Sequence, residues 1–167
     1  SDQLADIPPR LVVRRVFALD TGKHLSVNGR YPRVLALPDR WAGWWLGAVP
    51  AGLRLVRYLR PQVIWSTYPI ATASVIALSL HRLTGTPWVA DLRDPIKGDG
   101  GGSALVRWVH RWIERKTMQH CARLVCTTPG AVEMYRKRYP QVPAGRFVLI
   151  PNGYDEENFA EATAPAQ

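Results

Sequence analysis

The chain has 167 residues, 47% of them apolar, which suits one domain with a real core. No run reaches the roughly 18 apolar residues of a membrane-spanning helix. The start, Ser1, Asp2 and Gln3, lacks the basic-then-apolar pattern of a secretory leader. The formal charge is +9, with 18 Arg against 4 Lys, and no Asp or Glu occurs from Arg40 to Ala90. Such a balance fits anionic partners such as phosphates, nucleic acid or a membrane surface, and equally an Arg-rich solvated surface. Cys121 and Cys126 are five residues apart. That odd spacing on a strand would put them on opposite faces, which argues against a disulfide and for a reducing, cytosolic setting. There is no paired Cys/His motif for zinc.

In chain order, "RLVVRRVFAL" (10–19) has the β-branched content of a strand, and residues 20–40 read as a basic, turn-rich loop. From about Pro50, Leu53, Val56 and Leu59 fall on one side and Arg54, Arg57 and Arg60 on another, an amphipathic helix. "QVIWSTY" reads as a buried strand. "PIATASVIALSLHRLTG" reads as a helix apolar nearly all round, with Pro69 in its first turn and Gly85 at its end. "PWVADL" is the next strand and "KGDGGGS" a loop whose Ser103 caps a helix running to about Gln119. "ARLVCTT" is a strand. Thr128 and Pro129 open a helix that stops before Pro140, and "RFVLIP" is the last strand. Residues 1–160 are expected to form one lobe and 161–167 a linker or frayed tail. Near-continuous apolar strands alternating with helices predict an α/β fold, a Rossmann-like parallel sheet with helices on both faces.

Ligands in such sheets bind at the carboxyl ends of the strands. Three strands end there in polar groups. Ser66, Thr67 and Tyr68 precede a helix N-terminus, where they can cap the helix or bind a sugar hydroxyl or phosphate. Thr127 and Thr128 stand in the same position on another strand, with capping the stronger reading. Asp91, Arg93 and Asp94 place three charges at the end of a core strand. Alternation puts Asp91 and Arg93 on one side and Asp94 on the other. Burial of these charges would be expensive unless each were paired, so a cleft rim is the favoured position. There the carboxylates can orient hydroxyls or accept a proton, and Arg93 can bind a phosphate or carboxylate. No dinucleotide fingerprint, Walker A or nucleophile elbow is present, and none of His24, His81, His110 or His120 stands out as a base.

Three segments together, "PQVIWSTYPIATASVIALSLHRLTGTPWVADLRDP", "RWIERKTMQHCARLVCTTPGAVEMYRKRYP" and "FVLIPNGYDEENF", resemble the N-terminal lobe of a retaining family 4 glycosyltransferase with the GT-B fold. The resemblance covers roughly residues 60–160. It implies an acceptor-binding lobe facing a second lobe that holds a nucleotide-sugar donor, with no essential metal and no cofactor. It implies candidate catalytic positions at Asp91, Arg93 and Asp94, acceptor contacts at Ser66, Thr67 and Tyr68, and an interlobe position for Asn152 and Gly153. It also implies a first strand, glycine-rich loop and helix, and no such loop precedes "RLVVRRVFAL". The chain is therefore expected to be a partial lobe, inert alone, with a gap closed by local rearrangement or by pairing into a homodimer.

Trp41, Trp44 and Trp45 before the Arg54, Arg57, Arg60 face suit a peripheral site at the cytoplasmic membrane, where such enzymes often meet lipid-linked acceptors. Arg107, Arg111 and Arg115 form a second basic stripe, with Trp108, Val109, Trp112 and Ile113 expected in the core. A reading of another class is a non-catalytic basic module for polyanions or an anionic membrane. No nucleic-acid motif supports a nucleic-acid partner, and the aromatics do not interleave with the basic groups as in a stacking platform.

Overall fold

A computed structural model describes residues 11–24, 36–96 and 103–153. The glycine-rich stretch 97–102, the acidic residues 155–157 and the expected tail lie outside the described residues. A single turn, α1 (Thr21–His24), precedes α2 (Trp44–Leu59). Then come β1 (Ile64–Thr67), α3 (Ala71–Thr84), β2 (Trp88–Leu92), α4 (Ala104–His120), β3 (Arg123–Cys126), α5 (Pro129–Arg138), a 3-10 turn (Ala144–Arg146) and β4 (Phe147–Leu149).

The four strands are parallel and stand in the order β1-β2-β3-β4. Each step moves in the same direction across the sheet. Because right-handed crossovers then all fall on the same side, α3, α4 and α5 share one face. The strand register sorts the side chains accordingly. Trp88, Ala90 and Leu92 of β2, Leu124 and Cys126 of β3 and Phe147 of β4 pack with Ile113, Met118 and Tyr135 from the helices. Trp65, Thr67, Val89, Asp91, Val125 and Val148 lie on the alternate positions and turn to the other face. The α/β parallel architecture is thus as the sequence indicates, while the crossover helices occupy one face, where the apolar runs had suggested two. Consecutive order, which no local pattern encodes, is the reason.

The expected first strand is not formed. Residues 11–20 make no sheet pairing, and Leu11, Val12, Val13 and Phe17 are exposed. The segment passes against α2 instead. A Cβ added at Gly47 would stand 2.6 Å from the Phe17 carbonyl oxygen, and one at Gly43 2.6 Å from the Leu19 Cβ. Helix α2 also begins earlier than expected and carries Pro50 inside it. Its other side packs on α3, where Val49 meets Ile76 and Leu80.

The tryptophans near α2 belong largely to the lobe. Trp41 is half-buried with the Arg40 guanidinium 4.7 Å from its ring centroid, Trp44 packs on the smaller core, and Trp45 Nε1 donates to Ser79 Oγ at 3.0 Å. Trp108 departs from expectation in the other direction, being 59% exposed. Five residues before the buried Ile113, it stands about 140° around the helix from the core face.

Helix ends show which local readings the fold uses. Ser103 Oγ accepts from Val106 N at 3.4 Å, Thr128 Oγ1 accepts from Ala131 N at 3.2 Å, and Gly85 closes α3 with φ +71°. Neither Ser66 nor Thr67 caps α3. That role falls to Asp39, distant in sequence: its Oδ2 accepts from Thr72 N at 2.8 Å, and its Oδ1 from Thr72 Oγ1 and Trp41 N at 2.9 Å each. Asp39→Ala is expected to destabilise the fold by about 2 kcal/mol, the upper range for a lost cap, read as a lower urea midpoint at unchanged slope.

Both cysteines are free and buried in the same core, since Cys121 ends α4 and does not belong to the strand with Cys126. Burial pushes the Cys121 thiol up to about 12. Burial, with the Asp91 charge adding to it, pushes Cys126 up to about 11. Unfolded thiols lose their proton near 8.5. The folded state therefore binds more protons between roughly pH 8.5 and 11, and stability falls as pH rises through that window. Raising the pH from 7 to 9.5 is expected to remove about 2–3 kcal/mol. The urea midpoint checks this, and a Cys121→Ala/Cys126→Ala variant should lose the pH dependence.

Candidate functional site

At the carboxyl edge of the sheet, on the face away from the crossover helices, lies a cavity of about 480 Å3. Each strand contributes to it: Trp65 from β1, Asp91 and Arg93 from β2 and its exit, Val125 and Thr127 from β3, and Ile150 to Gly153 after β4. Strand alternation explains the choice. Trp88, Ala90 and Leu92 are committed to the core, so Asp91 and then Arg93 point the other way.

Asp91 is buried. Thr67 Oγ1 donates to its Oδ2 at 3.3 Å, and the Arg93 Nε stands 3.6 Å from the same oxygen. Both contacts fall on Oδ2. The Arg93 side chain is 60% exposed and brings its remaining guanidinium donors to the mouth. The loop carrying Arg93 is held at both ends. Thr127 Oγ1 donates to the Arg93 carbonyl at 2.8 Å, and Ile96 N donates to the Tyr135 hydroxyl at 3.0 Å. Ile150 N donates to the Cys126 carbonyl at 2.9 Å, bringing the "IPNG" exit over the end of β3.

The structure brings Asp91, Arg93, Asn152 and Gly153 together around one cavity, with Thr67 touching Asp91. Ser66 is on the opposite face, where its Oγ accepts from Trp88 Nε1 at 2.8 Å. The Tyr68 side chain is buried in the core, and its backbone N–H donates to the Asp91 carbonyl at 2.9 Å. Asp94 is exposed and outside the cavity lining. Trp65 escaped the sequence reading because an aromatic in an apolar run looks like core. The available signal was parity, since Trp65 shares a face with Thr67 and Trp65 is 53% exposed.

The chemistry on offer is a carboxylate able to accept from a hydroxyl, a guanidinium able to meet a phosphate or carboxylate, an amide at Asn152, and the Trp65 ring as an apolar platform. None of the four histidines lines the cavity. His81 Nδ1 is bonded to the Thr86 carbonyl and His110 Nε2 to the Pro38 carbonyl. Among the described residues no three His, Cys, Asp or Glu side chains converge to hold a metal.

A parallel α/β sheet with its crossover helices defines a Rossmann-like lobe. The model of the glycosyl transferase 4-like domain matches residues 10–153, and the chain belongs to that family. It is an N-terminal-type domain of a family 4 glycosyltransferase. No curated protein matches the chain.

Proposed function

We propose that this chain is the acceptor-side lobe of a glycosyltransferase that moves a sugar, with retention, from a nucleotide-sugar to a hydroxyl of a glycan or lipid-linked acceptor. What supports this beyond family membership is the cavity that gathers Asp91, Arg93, Asn152 and Gly153 at the strand ends. The Asp91 carboxylate would accept a hydrogen bond from the attacking hydroxyl and fix its direction. The acceptor oxygen bonds to the anomeric carbon on the face that the diphosphate leaves, the bond to the phosphate oxygen breaks, the nucleoside diphosphate departs with the electron pair, and the acceptor's hydroxyl proton passes to the departing phosphate oxygen. Arg93, at the mouth, would meet negative charge on the acceptor or on the departing diphosphate.

Release of nucleoside diphosphate tests the reading, using the protein expressed from its full reading frame with a panel of nucleotide-sugars and membrane-derived acceptors. Turnover with one donor is the expected result. No turnover with any donor, together with salt-dependent binding to generic polyanions, would replace it with a basic binding module.

A further inference from the structure

Trp65 stands in the cleft and outside both hydrophobic cores. Other tryptophans nearby serve the lobe. Trp88 is fully buried with its Nε1 donating to Ser66, Trp44 packs on the smaller core, and Trp45 is bonded to Ser79. Trp65 is 53% exposed, because it lies on the edge strand and turns, like Thr67, to the face away from the crossover helices. It is the only aromatic residue in the cavity lining.

Register sets its distance from Asp91. Trp65 is paired with Val89, and Asp91 lies two residues further along β2. With strands about 4.8 Å apart and about 3.3 Å per residue, the two Cα atoms are about 8 Å apart on the same face. One pyranose ring with its hydroxyls fills that interval. The lining divides by character in the same way as a sugar. Trp65, Val125 and Ile150 are apolar, and Asp91, Arg93 and Asn152 carry polar side chains. A pyranose has C–H bonds on its flat faces and hydroxyls around its rim. On the indole, the polarised C–H bonds meet the negative face of the ring quadrupole. The rim hydroxyls meet a carboxylate that accepts, a guanidinium that donates and an amide that does both. An isoprenoid chain would cover Trp65 and strip water from those polar groups without replacing it, which is costly. A lone phosphate would meet Arg93 and be opposed by the Asp91 charge.

We propose that the cleft takes a pyranose ring of the acceptor stacked on Trp65, so that the accepting hydroxyl belongs to a saccharide unit and the stacked ring sets which hydroxyl faces Asp91. This rests on the reading of the chain as an acceptor-side lobe and narrows it to one substrate class. Trp65 is then a specificity-determining residue. A hydroxyl standing axially from the stacked face lifts the ring off the indole, so the site selects sugars by the orientation of the hydroxyls on that face.

Saturation-transfer NMR on the whole chain, with the methyl glycosides of glucose, galactose, mannose and N-acetylglucosamine, reads binding without transfer. At least one should take up saturation, most strongly on the C–H protons of one ring face. Trp65→Leu keeps an apolar side chain and removes the π face. It should weaken binding about tenfold, the worth of one ring face of apolar contact. Trp65→Phe should keep most of the affinity. Thermal unfolding should hardly move in either variant, since Trp65 lies outside the cores. In the protein expressed from its full reading frame, Trp65→Leu should raise the acceptor KM about tenfold at nearly unchanged kcat, the sign of lost binding common to ground and transition states. No saturation of any of the four glycosides overturns the proposal, and so does equal binding in Trp65→Leu. Saturation of geranyl phosphate that Trp65→Leu abolishes, with no glycoside bound, would assign the platform to a lipid chain and also overturn it. The two readings fail separately. Glycoside binding lost in Trp65→Leu, in a protein that turns over no nucleotide-sugar, supports the ring site and removes the transferase. Turnover with no glycoside bound does the reverse.

Discussion

Asp91→Asn is expected to lower kcat/KM for sugar transfer roughly 10- to 100-fold in the protein expressed from its full reading frame, with the fold intact. The substitution keeps size and shape and removes the charge that makes the carboxylate a strong acceptor. Hydrogen bonds to charged groups contribute about 1.5–3 kcal/mol, and each 1.4 kcal/mol is a factor of ten. Arg93→Ala should reduce turnover in the same range if the guanidinium meets the departing phosphate, and should hardly alter stability. Its pairing with Asp91 is long at 3.6 Å and its side chain largely exposed, a geometry in which ion pairs contribute little to folding. Asp94→Asn is the neighbouring control. Exposed and outside the cavity, it should stay within about twofold of the unmodified enzyme, a negligible free energy on the same scale. Initial rates with saturating donor, alongside near-ultraviolet circular dichroism, check all three. Unchanged turnover in both Asp91→Asn and Arg93→Ala would remove the cleft from the mechanism.

The largest expected loss of stability comes from Arg138→Met. Glu114, on α4, is 1% exposed and so removed from water. Arg138 Nη1 donates to both of its oxygens, at 3.0 and 3.2 Å, and the Tyr139 hydroxyl donates to Oε1 at 2.7 Å. Burial and then this bond to the carboxylate hold the Tyr139 hydroxyl above its ordinary range. The network ties the middle of α4 to the end of α5 and so closes the helix layer over β3. Without Arg138, a buried carboxylate keeps a single neutral donor, a situation that destabilises by about 3–5 kcal/mol. In a chain of this size that lowers Tm by on the order of 10 °C. Glu114→Gln/Arg138→Met should recover part of the loss, because no uncompensated charge remains. Thermal unfolding of the single and double variants decides the point. A double variant less stable than Arg138→Met would show that packing, and not the stranded charge, sets the cost.

Much of the fold was legible because local chemistry and tertiary outcome agree. β2 follows the apolar run at Trp88 and stops at the charges, α5 starts at the Thr128–Pro129 pair, and Gly85 closes α3 with a left-handed residue that glycine adopts without strain. Parity along β2 also separated Asp91 and Arg93 from the core residues between them. Where readings failed, a distant partner had intervened. Ser66 has the chemistry of a cap, but a buried Trp88 indole needed an acceptor and Asp39 had already taken the helix end. "RLVVRRVFAL" has the composition of a strand, but a strand requires an edge to pair with, and the small-residue stripe of α2 offered its backbone another surface.

By itself, then, the sequence determined the elements of the sheet, the family, and the clustering of charge at the end of β2, because these depend on periodicity, punctuation and residue order. Only the tertiary structure decided which charges share a cavity, which hydroxyl meets Asp91, and which arginines line a groove beside α2. Those outcomes depend on consecutive strand order placing the crossover helices on one face, and on contacts between residues dozens of positions apart. Asp91 and Asn152 became neighbours because β2, β3 and the exit of β4 end at one edge. Arg14 and Arg54 became neighbours because two glycines let a backbone lie against a helix.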